Sequence, residues 1–179
     1  MRKHLPFTFG ILSCMKDWSE IIHRYQAKDY NTVCDFLNSE LWPFHSKIMN
    51  GEIGEQADSR IFLAVTADEV IGYIKITGFI DGDTPLFDVR VSETQRGKGL
   101  GAVLIKVATD AVFTELKQTI RFEAVTRIDN LPMQNLFKTL GWTQESHYRK
   151  GWRNSDGSYL DSLGFSILRE EWEQSKKYE

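Results

Sequence analysis

The sequence predicts one mixed α/β domain whose strands are largely joined as hairpins, and three observations carry that prediction. Between residues 61 and 91, short apolar strands alternate with polar turns. A long helical period follows at about residues 99–116, behind a glycine-rich loop. Two further strands flank the turn signal Asn154-Ser155-Asp156-Gly157. At 179 residues, 41% apolar and 26% charged, the chain is long enough to bury one sizeable core and has ordinary globular composition.

Taken in order, residues 1–17 carry no sustained period and read as an extension before a domain at 18–175. Arg2, Lys3 and His4 precede an apolar stretch from Leu5 to Leu12, but Pro6 and Gly10 interrupt it, so it does not read as a secretory signal. No apolar run approaches the ~18 residues of a membrane span. Glu20 to Arg24 is a short strand, leading into a helix at about Asp29–Leu37 with Val33, Phe36 and Leu37 on one face. Trp42-Pro43-Phe44-His45 breaks that helix, and His45 to Ser59 reads as a short helix plus loop.

Ile61 to Val65 and Val70 to Ile80 then form a hairpin about Ala67-Asp68-Glu69, and Asp81-Gly82-Asp83 turns into a strand at Leu86–Val91. The long helix places Val103, Leu104, Val107, Ala108, Ala111, Val112 and Leu116 on its apolar positions. A strand at Thr119–Thr126 precedes a helix at Leu131–Leu140. Asp129 or Asn130 caps that helix, Pro132 lies in its first turn and Gly141 follows its end. The last strands are Thr143–Arg149 and Tyr159–Leu168.

Charge and cysteine usage exclude more than they assign. A net charge of −3 does not supply the basic stripe that nucleic-acid backbones require. Cys14 and Cys34 form neither a CxxC pair nor a metal-ligand spacing with histidine, so they read as reduced thiols in the cytoplasm, and no metal is expected.

The strongest chemical signal is Gln95-Arg96-Gly97-Lys98-Gly99-Leu100-Gly101, set between a strand and the long helix. Glycines at alternate positions allow close backbone approach and conformations closed to other residues. The helix behind them offers unsatisfied N–H groups and a partial positive charge, to which Arg96 and Lys98 add full charges. Together these suit a diphosphate. The Walker A pattern is absent. Gly97, Gly99 and Ala102 do fit the dinucleotide spacing G-x-G-x-x-G/A. The hairpins upstream and the single β-α-β unit count against a nicotinamide-dependent oxidoreductase.

These residues resemble the GNAT superfamily of acyl-CoA-dependent N-acetyltransferases. Val89-Arg90-Val91 followed by Gln95 to Gly101 is similar to its R/Q-x-x-G-x-G/A motif, and Asn130, Phe137, Gly141 and Trp142 sit at the spacing of its N-x6-Y-x3-G-F signature. The tail, from His147-Tyr148-Arg149 through Asp156-Gly157 and Asp161 to Leu168-Arg169-Glu170-Glu171-Trp172, resembles the branch that includes ribosomal-protein N-terminal acetyltransferases. The likeness implies a mostly antiparallel central sheet, flanked by helices, whose fourth and fifth strands splay to admit acetyl-CoA. It implies main-chain bonds from Val89 and Val91 to the pantetheine arm, with Arg90 between them. Amides from Arg96 through Gly97, Lys98, Gly99 and Leu100 to Gly101 would lie on the diphosphate, with Asn130 and Phe137 on the cofactor's other side. The acceptor would be an amine, either a protein N-terminus or a small molecule, attacking directly.

Such a transfer needs a neutral amine, a stabilised oxyanion and a proton for the thiolate. Asp88 and Glu123 are the candidate bases. Alternation sets Asp88 beside Arg90 and Glu123 beside Arg121 and Arg127, and ion pairing would weaken either as a base. Phe137 stands where many relatives carry a tyrosine acid, so water or Tyr148 is left for that role. His45 and Trp42 are candidates for substrate contact, with core or hydrogen-bonded roles as the alternative. A non-catalytic acyl-CoA-binding module is the competing reading. The oligomeric state stays open, a homodimer included.

Overall fold

A computed structural model describes residues 18–39, 42, 45, 53–67 and 69–177. The N-terminal extension, Cys14, Pro43, Phe44 and most of the short helix expected after His45 lie outside the described residues. The strands are β1 (Ile22–Arg24), β2 (Ser59–Thr66), β3 (Glu69–Thr77), β4 (Leu86–Val91), β5 (Arg121–Arg127), β6 (Thr143–Arg153) and β7 (Tyr159–Leu168). The helices are α1 (Tyr30–Ser39), α2 (Leu100–Glu115), α3 (Leu131–Thr139) and α4 (Arg169–Lys176).

The strands form two sheets, ordered β1-β2-β3-β4 and β5-β7-β6, and every pairing within them is antiparallel. β4 and β5 stand side by side where the sheets meet. There the Glu123 N–H donates to the Pro85 carbonyl at 3.2 Å, which joins the strands at their starts. Beyond that bond no ladder connects them. Phe87 packs on the core face of this junction, with ring centroids 5.3 Å from Phe122 and 5.8 Å from Trp142.

Alternation sends the two sides of each strand to different neighbours. One face carries Ile74, Ile76, Val89, Phe122, Ala124 and Phe165 into a core roofed by α2 and α3. The other face of the β1–β4 sheet packs Ile61, Leu63 and Tyr73 against Val33, Phe36 and Leu37 of α1. Helix α2 lies so close over β3 that a Cβ on Gly72 would come within 2.9 Å of Leu104 Cδ1, which is why glycine sits there.

The structure revises three sequence expectations. Helix α2 buries Leu100, Ile105, Thr109 and Phe113 as well as Leu104, Ala108 and Val112, while Val103, Val107 and Ala111 stay half-buried. Its covered arc is wider than a single stripe because it is packed between the sheet and Trp172 of α4, 5.3 Å from Phe113. Helix α4 itself has no long apolar period to announce it. It is held from outside, by Arg169 donating to the carbonyls of Phe113, Leu116 and Thr119, and by Trp172 Nε1 on Asp110 at 2.6 Å. β1 shrinks to three residues because Ser19–Ile21 closes as a 3-10 turn. No described helix is long and apolar enough to cross a membrane.

Candidate active site

The wedge between β4 and β5 has polar main-chain edges. Ser92 N–H donates to Ile71 on β3 at 3.0 Å, so by antiparallel alternation Arg90 and Asp88 also turn their main-chain groups toward β3. Val89 and Val91 therefore turn theirs toward the wedge. From the other side the Glu123–Pro85 bond fixes the phase of β5, which turns the main chain of Val125 inward. The sequence motif pointed to Val89 and Val91; Val125 became legible only once the strands were paired.

At the open end of the wedge sits the glycine loop. Gly97 and Gly99 hold φ of +74° and +87°, left-handed conformations that other residues enter at a cost. Gly101 differs, being helical, with room for an added Cβ at 3.4 Å from Leu136. Ala102 and Val103 donate to the Gly99 carbonyl, which leaves the Leu100 and Gly101 amides ahead of the helix's own ladder. The Arg96 amide is used within the preceding turn, on Glu93 at 3.3 Å. Trp18, which the sequence reading did not single out, is buried and donates its indole N–H to the Lys98 carbonyl at 3.1 Å, bracing the loop from 80 residues away.

The charged side chains of the loop are turned aside. Arg96 Nε donates to the Val91 carbonyl at 3.1 Å, and Lys98 Nζ reaches Gln95 at 3.4 Å. Trp42 is close to two guanidiniums, Arg90 at 5.5 Å and Arg96 at 5.6 Å from its ring centre, and donates its own N–H to the Leu37 carbonyl. It thus ties α1 to the mouth of the wedge.

On the α1 face of β4, Arg90 is buried and binds Asp88 at 2.8 Å. His45 Nδ1 lies 2.8 Å from the other oxygen of Asp88. Burial pushes the Asp88 carboxyl up, but His45 and Arg90 outweigh it and hold the group below the usual carboxylate range. Across the wedge, Glu123 pairs with Arg121 at 2.5 Å, and Arg121 also holds Glu145 at 2.6 Å. Arg127 pairs instead with Asp129 at 2.7 Å.

The remaining candidates separate. Asn130 caps α3 through Met133 N–H and donates to Thr126 at 3.1 Å, so its side chain is already engaged inside the fold. Phe137 is 1% exposed and stacks on Phe165 at 4.7 Å, within the aromatic core beneath the wedge. Tyr148 lies on β6, the far edge of its sheet, about 10 Å of strand spacing from β5. It shares a face with Ser162 and Arg127, and its ring leans over Gly164, where an added Cβ would meet it at 3.3 Å.

A mostly antiparallel arrangement split between two neighbouring central strands, with a helix start at the split, is the architecture of the acyl-CoA N-acyltransferases. The chain belongs to the Acetyltransferase (GNAT) family, whose sequence profile matches residues 17–142. It is an acetyltransferase. Among solved structures, an acetyltransferase of the GNAT family from Streptococcus pneumoniae aligns with a TM-score of 0.69 at 16% identity, over 82% of this chain and 98% of its own. A chimera of the spermidine N-acetyltransferase SpeG from Vibrio cholerae and hSSAT aligns at 0.69 and 21%, over 86% and 98%. The ribosomal-protein-S18-alanine N-acetyltransferase from Escherichia coli aligns at 0.66 and 13%, over 82% and 92%. At such identities the likeness establishes the fold. No curated protein matches the sequence.

Proposed function

We propose that the chain transfers an acetyl group from acetyl-CoA to an amine by direct attack, without a covalent enzyme intermediate. The observation that carries this reading is the wedge itself: main-chain groups of Val89, Val91 and Val125 turned into a split that opens on the start of α2. A pantetheine arm carries two amides and would take up those edges as a short extra strand. The diphosphate would meet the Gly97–Gly101 backbone, where both left-handed glycines and the helix start concentrate N–H groups. Arg96 and Lys98 can swing from their present partners to add charge. Asn130 and Phe137 support the far side of the site through α3.

In this reading the Val89 N–H stabilises the oxyanion that develops on the thioester carbonyl. The acceptor enters from the α1 face, past Trp42 and His45, toward Asp88 and Glu123. With Phe137 in the core, water or the Tyr148 hydroxyl protonates the departing thiolate. A reducing compartment that contains acetyl-CoA, the cytoplasm, suits the chemistry.

The test is thiol release from acetyl-CoA on addition of a peptide with a free N-terminus, spermidine or an aminoglycoside, with products checked by mass spectrometry. The expected result is a mass gain of one acetyl group on at least one acceptor. Acetyl-CoA binding without turnover of any acceptor would instead mark a binding module.

A further inference from the structure

We propose that His45 is the group that takes the proton from the incoming amine, with Asp88 as its positioning residue and Arg90 fixing Asp88. This inference rests on the acetyl-transfer reading and assigns its proton acceptor.

The geometry points there by elimination and by fit. Glu123 shares Arg121 with Glu145, so its charge is already matched on the β5 side. Asp88 is bound by Arg90 on one oxygen and approached by His45 on the other, which suits it to orient rather than to collect a proton. A carboxylate beside Nδ1 favours the tautomer with hydrogen on that nitrogen, which leaves the Nε2 lone pair as the acceptor. His45 is held in place by its own amide, which donates to the Trp42 carbonyl at 3.1 Å, and by the Trp42 ring, edge-on at 6.1 Å. Its side chain is 22% exposed, enough to meet a substrate at the mouth of the wedge.

The surrounding charges are consistent with this role. β4 supplies Asp88 and Arg90, and β3 sets Lys75 directly across from Asp88 and Tyr73 across from Arg90. The loop before α2 brings the Arg96 guanidinium to 5.6 Å from the Trp42 ring centre, and β5 presents Arg121 and Glu123 across the split. Among the described residues, Asp88 is the carboxylate in contact with the imidazole.

The step balances without a further reactant. Nε2 takes one proton from the ammonium and passes it to solvent. The neutral nitrogen attacks the thioester carbon, an N–C bond forms, and the C–S bond breaks with its electron pair on sulfur. The second proton of the attacking nitrogen ends on that sulfur, so acetyl-CoA and an ammonium give amide, free CoA thiol and one proton.

The experiment uses the full-length protein and whichever acceptor of the peptide, spermidine and aminoglycoside panel is turned over. kcat and KM are measured across pH for wild type, His45→Ala, His45→Gln, Asp88→Asn and the control His147→Ala. Acetyl-CoA affinity is measured by calorimetry. His147 pairs with Asp161 at 2.7 Å on the outer strand β6 and resembles the dyad without facing the wedge. Both His45 variants are expected to lose at least about 10²-fold in kcat, to keep their acetyl-CoA affinity and to lose the acidic limb of the pH profile. Asp88→Asn is expected to lower kcat at least about 10-fold while leaving acetyl-CoA affinity unchanged. Nitrogen-detected histidine spectra should show Nδ1–H at His45 in wild type and a tautomer mixture in Asp88→Asn. His147→Ala should match wild type. The inference is overturned alone if both His45 variants keep kcat within about threefold of wild type with an unchanged profile. If wild type binds acetyl-CoA but acetylates nothing, the parent reading fails and takes this one with it.

Discussion

β4 and β5 present two faces one residue apart, and the faces do opposite jobs. Toward α2 and α3 they carry Phe87 and Phe122, packed at 5.3 Å with Trp142 and Phe137 behind them. On the opposite face they carry Asp88 and Glu123, each already matched to an arginine. The aromatic face packs the two strands together on the core side, and the charged face lies on the opposite side of the junction. Apolar packing and paired charge are thus separated by the pleat of the strand rather than by region of the chain.

That comparison can be broken by substitution on either side. Phe122→Ala removes a fully buried ring from the aromatic face and is expected to cost about 3–5 kcal/mol in denaturant unfolding. Glu123→Gln, its neighbour on the other face, replaces one end of a part-exposed ion pair and is expected to cost under about 1 kcal/mol. Equal losses would show that the two faces do not divide the work as described.

Gly99→Ala comes next in size. Its left-handed φ of +87° makes any side chain strained, at about 1–2 kcal/mol. The same change displaces the helix start, so acetyl-CoA affinity should fall along with thermal stability. Gly101→Ala, in a helical conformation with ordinary clearance, should leave stability nearly unchanged.

The smallest effect concerns pH. The Asp88 carboxyl titrates below its ordinary value in the fold, so its contribution to stability is in place above the unfolded-state carboxylate pKa of about 4 and is lost as pH falls through the folded value. Asp88→Asn should therefore be less stable than wild type at neutral pH, and the two unfolding midpoints should converge in acid. A constant offset at all pH values would mean the loss is one of shape rather than charge.

Much of this was legible in the sequence because it is local. Leu86–Val91, the long helix, the capped α3 and the turn near Gly157 all announce themselves through period or turn residues within a few positions. The glycine loop was legible as a turn leading into the long helix for the same reason. What stayed hidden is what tertiary packing decides. Trp18 reaches Lys98 across 80 residues, and no pattern in either segment encodes that bond. His45 and Asp88 were each readable as candidates, but their contact depends on α1 and Trp42 bringing one to the other. Helix α4 was missed because its anchors, Arg169 and Trp172, bind partners on α2 and the segment after it.

The central claim is that the backbone at the start of α2 grips the diphosphate of acetyl-CoA and aims its thioester into the wedge. Calorimetric titration of acetyl-CoA into wild type and into Arg96→Glu/Lys98→Glu tests it most directly. The account predicts saturable binding by wild type, weakened at least about 10-fold by the charge reversal because like charges then face the diphosphate. No heat with wild type, or equal affinity in both proteins, would contradict it.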